Sequence, residues 1–317
     1  MVPDPNYICS VEKPEDFDSF WEDVTKTLGN IDIDISCVLD DFRSTEDISV
    51  YEVFFNSLDN IRVSGWYAVP SKHSGKLPGL MLVPGYQSDP PIPREWAKKG
   101  YACLSVNPRG KVRSRSQFDP GYPGLLTYGI VDRNTYSYRG FYCDAWRGID
   151  FLLDRDEVDS ERIAVTGSSQ GGGLTITTAA MRKEVKAAAA GAPYLCGYMD
   201  AIELTHTYPY EEINDYLRSN PGSRKTVEDT LSYFDGISFA DRIKCPIIVN
   251  IGLQDNVCPP ETGYALFNQI GSKNKKLYEY DGHGHEAGRY IHSRICLLYT
   301  SPSPRDATRS GVAGVGV

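Results

Sequence analysis

The chain has 317 residues, 41% of them hydrophobic and 24% charged, with a formal net charge of -9. That balance supplies a sizeable core and excludes an intrinsically disordered or collagen-like chain. The acidic excess argues against a nucleic-acid partner, because phosphate binding needs clustered Lys and Arg. No run approaches the ~18 apolar residues of a membrane span, so no membrane partner is expected. The start, Met1-Val2-Pro3-Asp4-Pro5-Asn6, lacks the basic flank and apolar stretch of a secretory signal. Cysteines at 9, 37, 103, 143, 196, 245, 258 and 296 form no CxxC pair, and several lie inside apolar runs such as that around Cys103. They read as buried free thiols of a reducing compartment rather than a disulfide framework, so the expected location is cytoplasmic.

In chain order, the first signal is Pro14-Glu15-Asp16 followed by Phe17, Phe20, Trp21, Val24 and Leu28 at helical spacing, closed by Gly29. Two alternating stretches, 49–55 and 61–69, flank Leu58-Asp59-Asn60 and predict an antiparallel pair. The pattern then changes to short apolar runs without alternation, at 80–83, 102–106, 163–165, 247–251 and 277–280. Strands buried on both faces have this look, and parallel sheets are their usual home. Helical segments fall between them, over 142–153 and 172–181. The expectation is a doubly wound, mostly parallel α/β sheet with an antiparallel N-terminal extension at its edge.

Residues 193–242 separate two core strands with polar, helix-capable sequence. About fifty residues exceed an ordinary connection, so they are expected to form a helical cap inserted over the carboxyl edge of the sheet. A surface excursion without a role is the plainer alternative. The tail after Cys296 has no apolar period, and its Pro and Gly break any helix. It reads as a non-native or disordered segment, leaving one domain over residues 1–295.

The sharpest motif is Gly167-Ser168-Ser169-Gln170-Gly171, directly after the strand run and before a helix. A nucleophile elbow needs this arrangement: the strand must turn sharply into the helix, and flanking glycines remove side chains that would collide with neighbouring backbone. The helix amino end then points its dipole and free N–H groups at a developing oxyanion. A Gly-rich turn packed under a helix would show the same letters. Ser169 as nucleophile requires a base and an orienting acid, in the chain order Ser, Asp or Glu, His. Asp255 follows the run 247–251 and precedes Pro259, where the next helix should start; the same position also suits a simple helix cap. Of the five histidines, His73 lies in a polar loop, His206 in the insertion and His292 near the tail. His283 and His285 both follow the run 277–280, where the base should fall.

Two N–H donors are needed for an oxyanion hole. The backbone of Gln170, next to the nucleophile, supplies one candidate. Tyr86 in Pro84-Gly85-Tyr86-Gln87, after the first core strand, supplies the other. His283-Gly284-His285-Glu286 is too sparse for a metal site, Gly-rich phosphate loops are absent from the sequence, and no cofactor is expected.

Taken together, these segments resemble the cephalosporin C deacetylase and acetyl xylan esterase family, carbohydrate esterase family seven, within the α/β-hydrolases. The residues that carry the likeness run from Pro14-Glu15-Asp16-Phe17 through Gly85-Tyr86, Asn107-Pro108-Arg109-Gly110 and Tyr136-Ser137-Tyr138-Arg139-Gly140 to the elbow. They continue with Pro209-Tyr210-Glu211-Glu212-Ile213, Gly252-Leu253-Gln254-Asp255 and Gly284-His285-Glu286. The resemblance implies a triad of Ser169, Asp255 and His285, since the family's base precedes a Glu as His285 does. It also implies oxyanion donors at Tyr86 and Gln170, and an acyl pocket narrowed near Pro209. Deacetylation of small acetylated carbohydrates, xylo-oligosaccharides and cephalosporin C, by a cytoplasmic homo-hexamer, is the activity it implies. The sequence departs from the family at Lys111, where Gln is frequent, at Pro84, where His is usual, and in its final helix. An oligopeptidase-like hydrolase and a catalytically silent interaction module are the competing readings of the same fold.

Overall fold

A computed structural model of the protein describes residues 3–291; the readings made for His292, Cys296 and the tail lie outside the described residues. The N-terminal helix α1 spans Phe17–Gly29, and its buried side are Phe17, Phe20, Trp21, Val24 and Leu28, the residues whose spacing predicts it. Strands β1 (Ser36–Leu39), β2 (Ile48–Asn56) and β3 (Arg62–Pro70) follow, with β2 and β3 antiparallel in a register that sets Val53 opposite Gly65. Next come β4 (Leu77–Val83), α2 (Arg94–Ala97), β5 (Ala102–Asn107), α3 (Ser137–Leu153), β6 (Val158–Ser168), α4 (Gln170–Met181) and β7 (Val185–Gly191). Four helices fill the long connection: α5 (Tyr198–Leu204), α6 (Glu211–Ser219), α7 (Arg224–Ser232) and α8 (Gly236–Ala240). The described residues end with β8 (Ile247–Gly252), α9 (Pro260–Gln269), β9 (Lys275–Tyr280) and a tight helical turn over His285–Tyr290.

These strands form one nine-stranded sheet in the order β1-β2-β3-β5-β4-β6-β7-β8-β9. The pairs β1/β2, β2/β3 and β3/β5 are antiparallel, and every pair from β5/β4 to β8/β9 is parallel. This is the expected doubly wound sheet with its antiparallel N-terminal extension, an α/β-hydrolase architecture. All parallel strands deliver their carboxyl ends to one edge, where ligands bind in such sheets.

Alternation along the central strands feeds two separate clusters. Met81, Val83, Leu104, Val106, Val165 and Ala188 face α1, α3, α4 and α8 in the large core, whereas Leu80, Leu82, Cys103, Ala164, Ala187 and Ala189 line the opposite face. On the first face Trp21 anchors α1. Its ring lies 5.3 Å from both Trp146 and Phe239 and 5.4 Å from Phe234, and its indole N–H donates to the Tyr233 carbonyl at 2.9 Å. Edge-to-face aromatic contacts of this kind add to a large burial of apolar area.

Two strands escape the sequence pattern. The run Val185-Lys186-Ala187-Ala188-Ala189-Ala190-Gly191 reads as helix-forming, yet it is β7, a central strand whose alanines are all buried. Small side chains are required there because α4 approaches it backbone to backbone: a Cβ on Gly172 would stand 2.6 Å from the Gly191 carbonyl oxygen. The other, β1, is a short edge strand with Val38 and Leu39 exposed, so it carries no core signal.

Candidate active site

The turn between β6 and α4 is strained backbone at the carboxyl edge. Ser169 sits at φ 62°, ψ -124°, a region an L-residue occupies only when its surroundings over-determine it. Those surroundings are explicit. The Ser169 N–H donates to the Gly191 carbonyl at 2.9 Å, and its own carbonyl accepts from Gly173 at 3.1 Å and Tyr194 at 3.0 Å. Glycine is obligatory on both sides: a Cβ at Gly167 would lie 2.6 Å from the Gly171 carbonyl carbon, and one at Gly171 would lie 2.3 Å from the Val83 oxygen. The sharp elbow expected from the motif is therefore formed.

Asp255 lies in the loop after β8, as expected. Its carboxylate is saturated by design of that loop: Oδ1 accepts from the Val257 and Cys258 N–H groups at 2.8 and 2.9 Å, and Oδ2 lies 2.8 Å from His285 Nδ1. The Asp255 side chain is 1% exposed and that of His285 30%, so the pair is dry on the acid side and open on the imidazole side. Of the two histidines after β9, it is His285 that meets Asp255. His283 turns outward, half exposed, with its Nδ1 at 3.4 Å from both Glu286 Oε1 and the Tyr290 hydroxyl.

The segment carrying His285 is pinned across two strand ends. Asn250 in β8 donates from Nδ2 to the Ala287 carbonyl at 2.8 Å and accepts the Ala192 N–H on its own carbonyl at 2.7 Å. A Cβ on Gly288 would meet Ser168 Oγ at 2.5 Å, which measures how closely this turn lies against the elbow. Cys258 links the parts. Its sulfur lies within 4.8 Å of donor atoms on Asp255 and His285. Neither Asn250 nor Cys258 carried a sequence signal for such a role.

Those three donor groups could in geometric terms hold a metal ion. Their chemistry opposes it. Asp255 and His285 spend Oδ2 and Nδ1 on each other, and burial pushes the Cys258 thiol well above its usual range, whereas a metal needs the thiolate.

Tyr86 follows β4 and abuts the elbow: the Cβ position of Gly85 lies 4.0 Å from Ser169 Cβ. The N–H groups of Tyr86 and Gln170 have no hydrogen-bond partner among the described residues. The side chains of both are held from behind. Tyr138 donates its hydroxyl to Gln170 Oε1 at 2.7 Å. The Tyr86 hydroxyl donates to Glu212 Oε1 at 2.8 Å and accepts the Leu126 N–H at 2.9 Å, while Glu212 Oε2 accepts the Gly124 N–H at 2.8 Å. Burial raises the Glu212 pKa, even though these donors favour its charged form. Glu212 was visible in the sequence only as part of the family-like run 209–213.

Pro209 is buried in the insertion, just before Tyr210, whose ring lies 4.4 Å from that of Tyr194; Tyr194 in turn lies 6.2 Å from Tyr86. His206 is exposed beside Glu211, and His73 is exposed with its Nδ1 near the Gly75 carbonyl. Neither approaches the elbow through any contact among the described residues.

A strained serine at a strand-to-helix elbow, with an Asp–His pair delivered from two later strand ends, defines an α/β-hydrolase. The family is narrower than that. The chain belongs to the acetyl xylan esterase family, whose model matches residues 5–300. It is similar to an acetyl xylan esterase from Paenibacillus sp. R4, at 33% identity and a TM-score of 0.86, covering 93% of this chain and 97% of that one. Acetyl xylan esterase 1 from Thermoanaerobacterium sp. JW/SL YS485 matches at 28% identity and a TM-score of 0.85, covering 93% and 98%. The acetyl esterase Axe7A of Xylanibacter ruminicola is 28% identical over 284 residues, which are 84% of this chain and 62% of that protein. The chain thus spans about three-fifths of the length of that relative.

Proposed function

We propose that the protein is a serine esterase that removes acetyl groups from small acetylated carbohydrates through an acetyl-enzyme on Ser169. The observation that carries this reading is the 2.8 Å contact of Asp255 with His285 Nδ1, set against the elbow that bears Ser169. Asp255 fixes the imidazole with its proton on Nδ1, leaving Nε2 to act as the base. His285 takes the Ser169 proton as the oxygen attacks the acetyl carbonyl, and a tetrahedral oxyanion forms. The Tyr86 and Gln170 N–H groups stabilise that oxyanion; one such donor is worth about 3 kcal/mol. His285 then protonates the leaving sugar oxygen, the acetyl group stays on Ser169, and a water activated by the same imidazole releases acetate.

Acetylated xylo-oligosaccharides are the substrate class that the family and its similar structures favour, with cephalosporin C as a second acetyl ester of comparable size. The family resemblance assigns the narrowing of the acyl side to Pro209, which is buried next to Tyr210, whose ring packs 4.4 Å from that of Tyr194; this favours acetyl over longer chains. A cytoplasmic homo-hexamer is the assembly proposed from the resemblance. No helix among the described residues is long and apolar enough to cross a membrane. The test is turnover of p-nitrophenyl acetate, acetylated xylo-oligosaccharides, cephalosporin C and a butyryl ester by wild type and Ser169→Ala. Loss of all turnover in the variant, with acetyl well above butyryl in wild type, supports the assignment. Wild-type rates in Ser169→Ala would rule it out.

A further inference from the structure

The loop that offers the Tyr86 N–H is held by a buried cation. Lys111 follows β5 in a turn fixed at each step: its N–H donates to the Pro108 carbonyl at 3.1 Å, and its carbonyl accepts from Ser114 at 2.8 Å. The base of that turn is anchored by Arg109, bound to the fully buried Asp144 through three hydrogen bonds of 2.8 to 2.9 Å. From there the Lys111 side chain runs under the loop after β4, and the residue is only 5% exposed. Its Nζ donates to the Tyr86 carbonyl at 2.5 Å and to the Ser88 carbonyl at 3.3 Å. No carboxylate among the described residues lies within 4.0 Å of it.

We propose that Lys111 is a positioning residue for the esterase reaction: by clamping the Tyr86 and Ser88 carbonyls, its ammonium holds the loop that presents the Tyr86 N–H to the oxyanion. The inference rests on the esterase reading of the site. A charged donor to a carbonyl is roughly twice as strong as a neutral one, so the clamp is tightest while the amine is protonated.

Two charged groups face Lys111 from neighbouring segments. Asp89, on the clamped loop, favours the ammonium, and Arg115, in the following turn, opposes it. Arg115 is itself tied to the Gly110 carbonyl and lies 3.9 Å from Asp119. The same residues wall a cavity of about 370 Å³ that reaches Tyr86. Burial outweighs Asp89 and brings the Lys111 amine down to about 8. The sign follows. Below that pH the clamp is charged; as pH rises through about 8 the ammonium is lost and turnover falls. A serine–histidine mechanism by itself has no such alkaline fall, because neutral imidazole is its working base. The Cys258 thiol and Tyr86 hydroxyl are both pushed well above their ordinary values by burial and do not supply one.

The experiment is steady-state kinetics on p-nitrophenyl acetate between about pH 6 and pH 10, corrected for spontaneous hydrolysis, for wild type, Lys111→Gln, Lys111→Met and Lys111→Arg. Misplacing one catalytic donor is expected to lower kcat about tenfold in the Met variant, with KM within about twofold, whereas the Gln amide, still a donor and frequent at this place in the family, keeps kcat closer to wild type; both variants lack a titrating amine. Their alkaline fall should vanish, while Lys111→Arg keeps kcat and moves the fall beyond the range. A Lys111→Met enzyme with wild-type kcat and a wild-type alkaline fall would overturn the proposal. If melting curves show that the Gln and Met variants are unfolded, a folded Lys111→Arg enzyme whose fall still centres near 8 would overturn it equally. Turnover that persists in Ser169→Ala would instead overturn the esterase reading, so the two failures are distinguishable.

Discussion

Replacing Asp255 by Asn changes one atom and should nearly abolish turnover. Oδ1 of Asp255 receives two backbone N–H donors, from Val257 and Cys258, at 2.8 and 2.9 Å. An Asn amide must therefore place its oxygen there, since its NH2 would set donor against donor. The NH2 is then left facing His285 Nδ1, the partner now at 2.8 Å. To accept that bond the imidazole must carry its proton on Nε2, the atom required as the base. Holding the wrong tautomer in intact geometry costs about 10⁴ in kcat, equivalent to about 5.4 kcal/mol at 1.36 kcal/mol per decade. The assay is kcat for p-nitrophenyl acetate near neutral pH, paired with a melting curve showing that Asp255→Asn folds. A folded variant within about tenfold of wild type would show that Asp255 does not set the tautomer, and the acid assignment would fall with it.

Glu212→Gln should lower kcat about tenfold and cost about 1–3 kcal/mol of stability, because one amide oxygen cannot accept from both the Tyr86 hydroxyl and the Gly124 N–H; urea unfolding together with kinetics checks both numbers. Asp144→Ala strands the buried Arg109 guanidinium and should destabilise the fold by about 3–5 kcal/mol, so an unchanged melting temperature would contradict the role given to this pair. Burial raises the Asp235 carboxyl from 3.8 to about 6, against three backbone N–H bonds that favour its charged form. The native state therefore keeps a proton that the unfolded chain has already released. Stability attributable to this group is present below 3.8 and is lost as pH rises through about 6, a slope that denaturant titrations of Asp235→Asn should no longer show.

The candidate nucleophile and acid could be read from the sequence because each is announced locally: Ser169 by a strand, two glycines and a helix, Asp255 by its place between a strand run and Pro259. The base needed more. Two histidines satisfy the strand-end condition, and only the Glu following His285 in the family-like triplet separated them before the 2.8 Å contact did. Glu212, Asn250 and Lys111 were illegible as site residues for a common reason. Their partners lie 126, 37 and 25 positions away, and no local pattern encodes a hydrogen bond across such distances. The start of α3 was placed at residue 142 instead of Ser137 because its first turn is polar by letter, although Ser137 and Tyr138 are buried. Strand β7 was missed for a subtler reason: alanine satisfies a packing demand set by glycines in α4, so neither segment explains itself alone.

That mutual demand between α4 and its neighbours has a consequence for how this enzyme can change. From Gly167 to Gly173 the polypeptide meets the strand ends main chain against main chain, with contacts of 2.2 to 2.7 Å awaiting any added methyl at Gly167, Gly171, Gly172 and Gly173. Random libraries aimed at this stretch will return dead clones, since nothing flexible is present to yield. Diversity is better placed in α5 to α7, where Leu204 and Tyr208 already stand in solvent. Sequence change is therefore open to laboratory evolution through the insertion, while the Ser169 elbow stays locked in an unchanging frame.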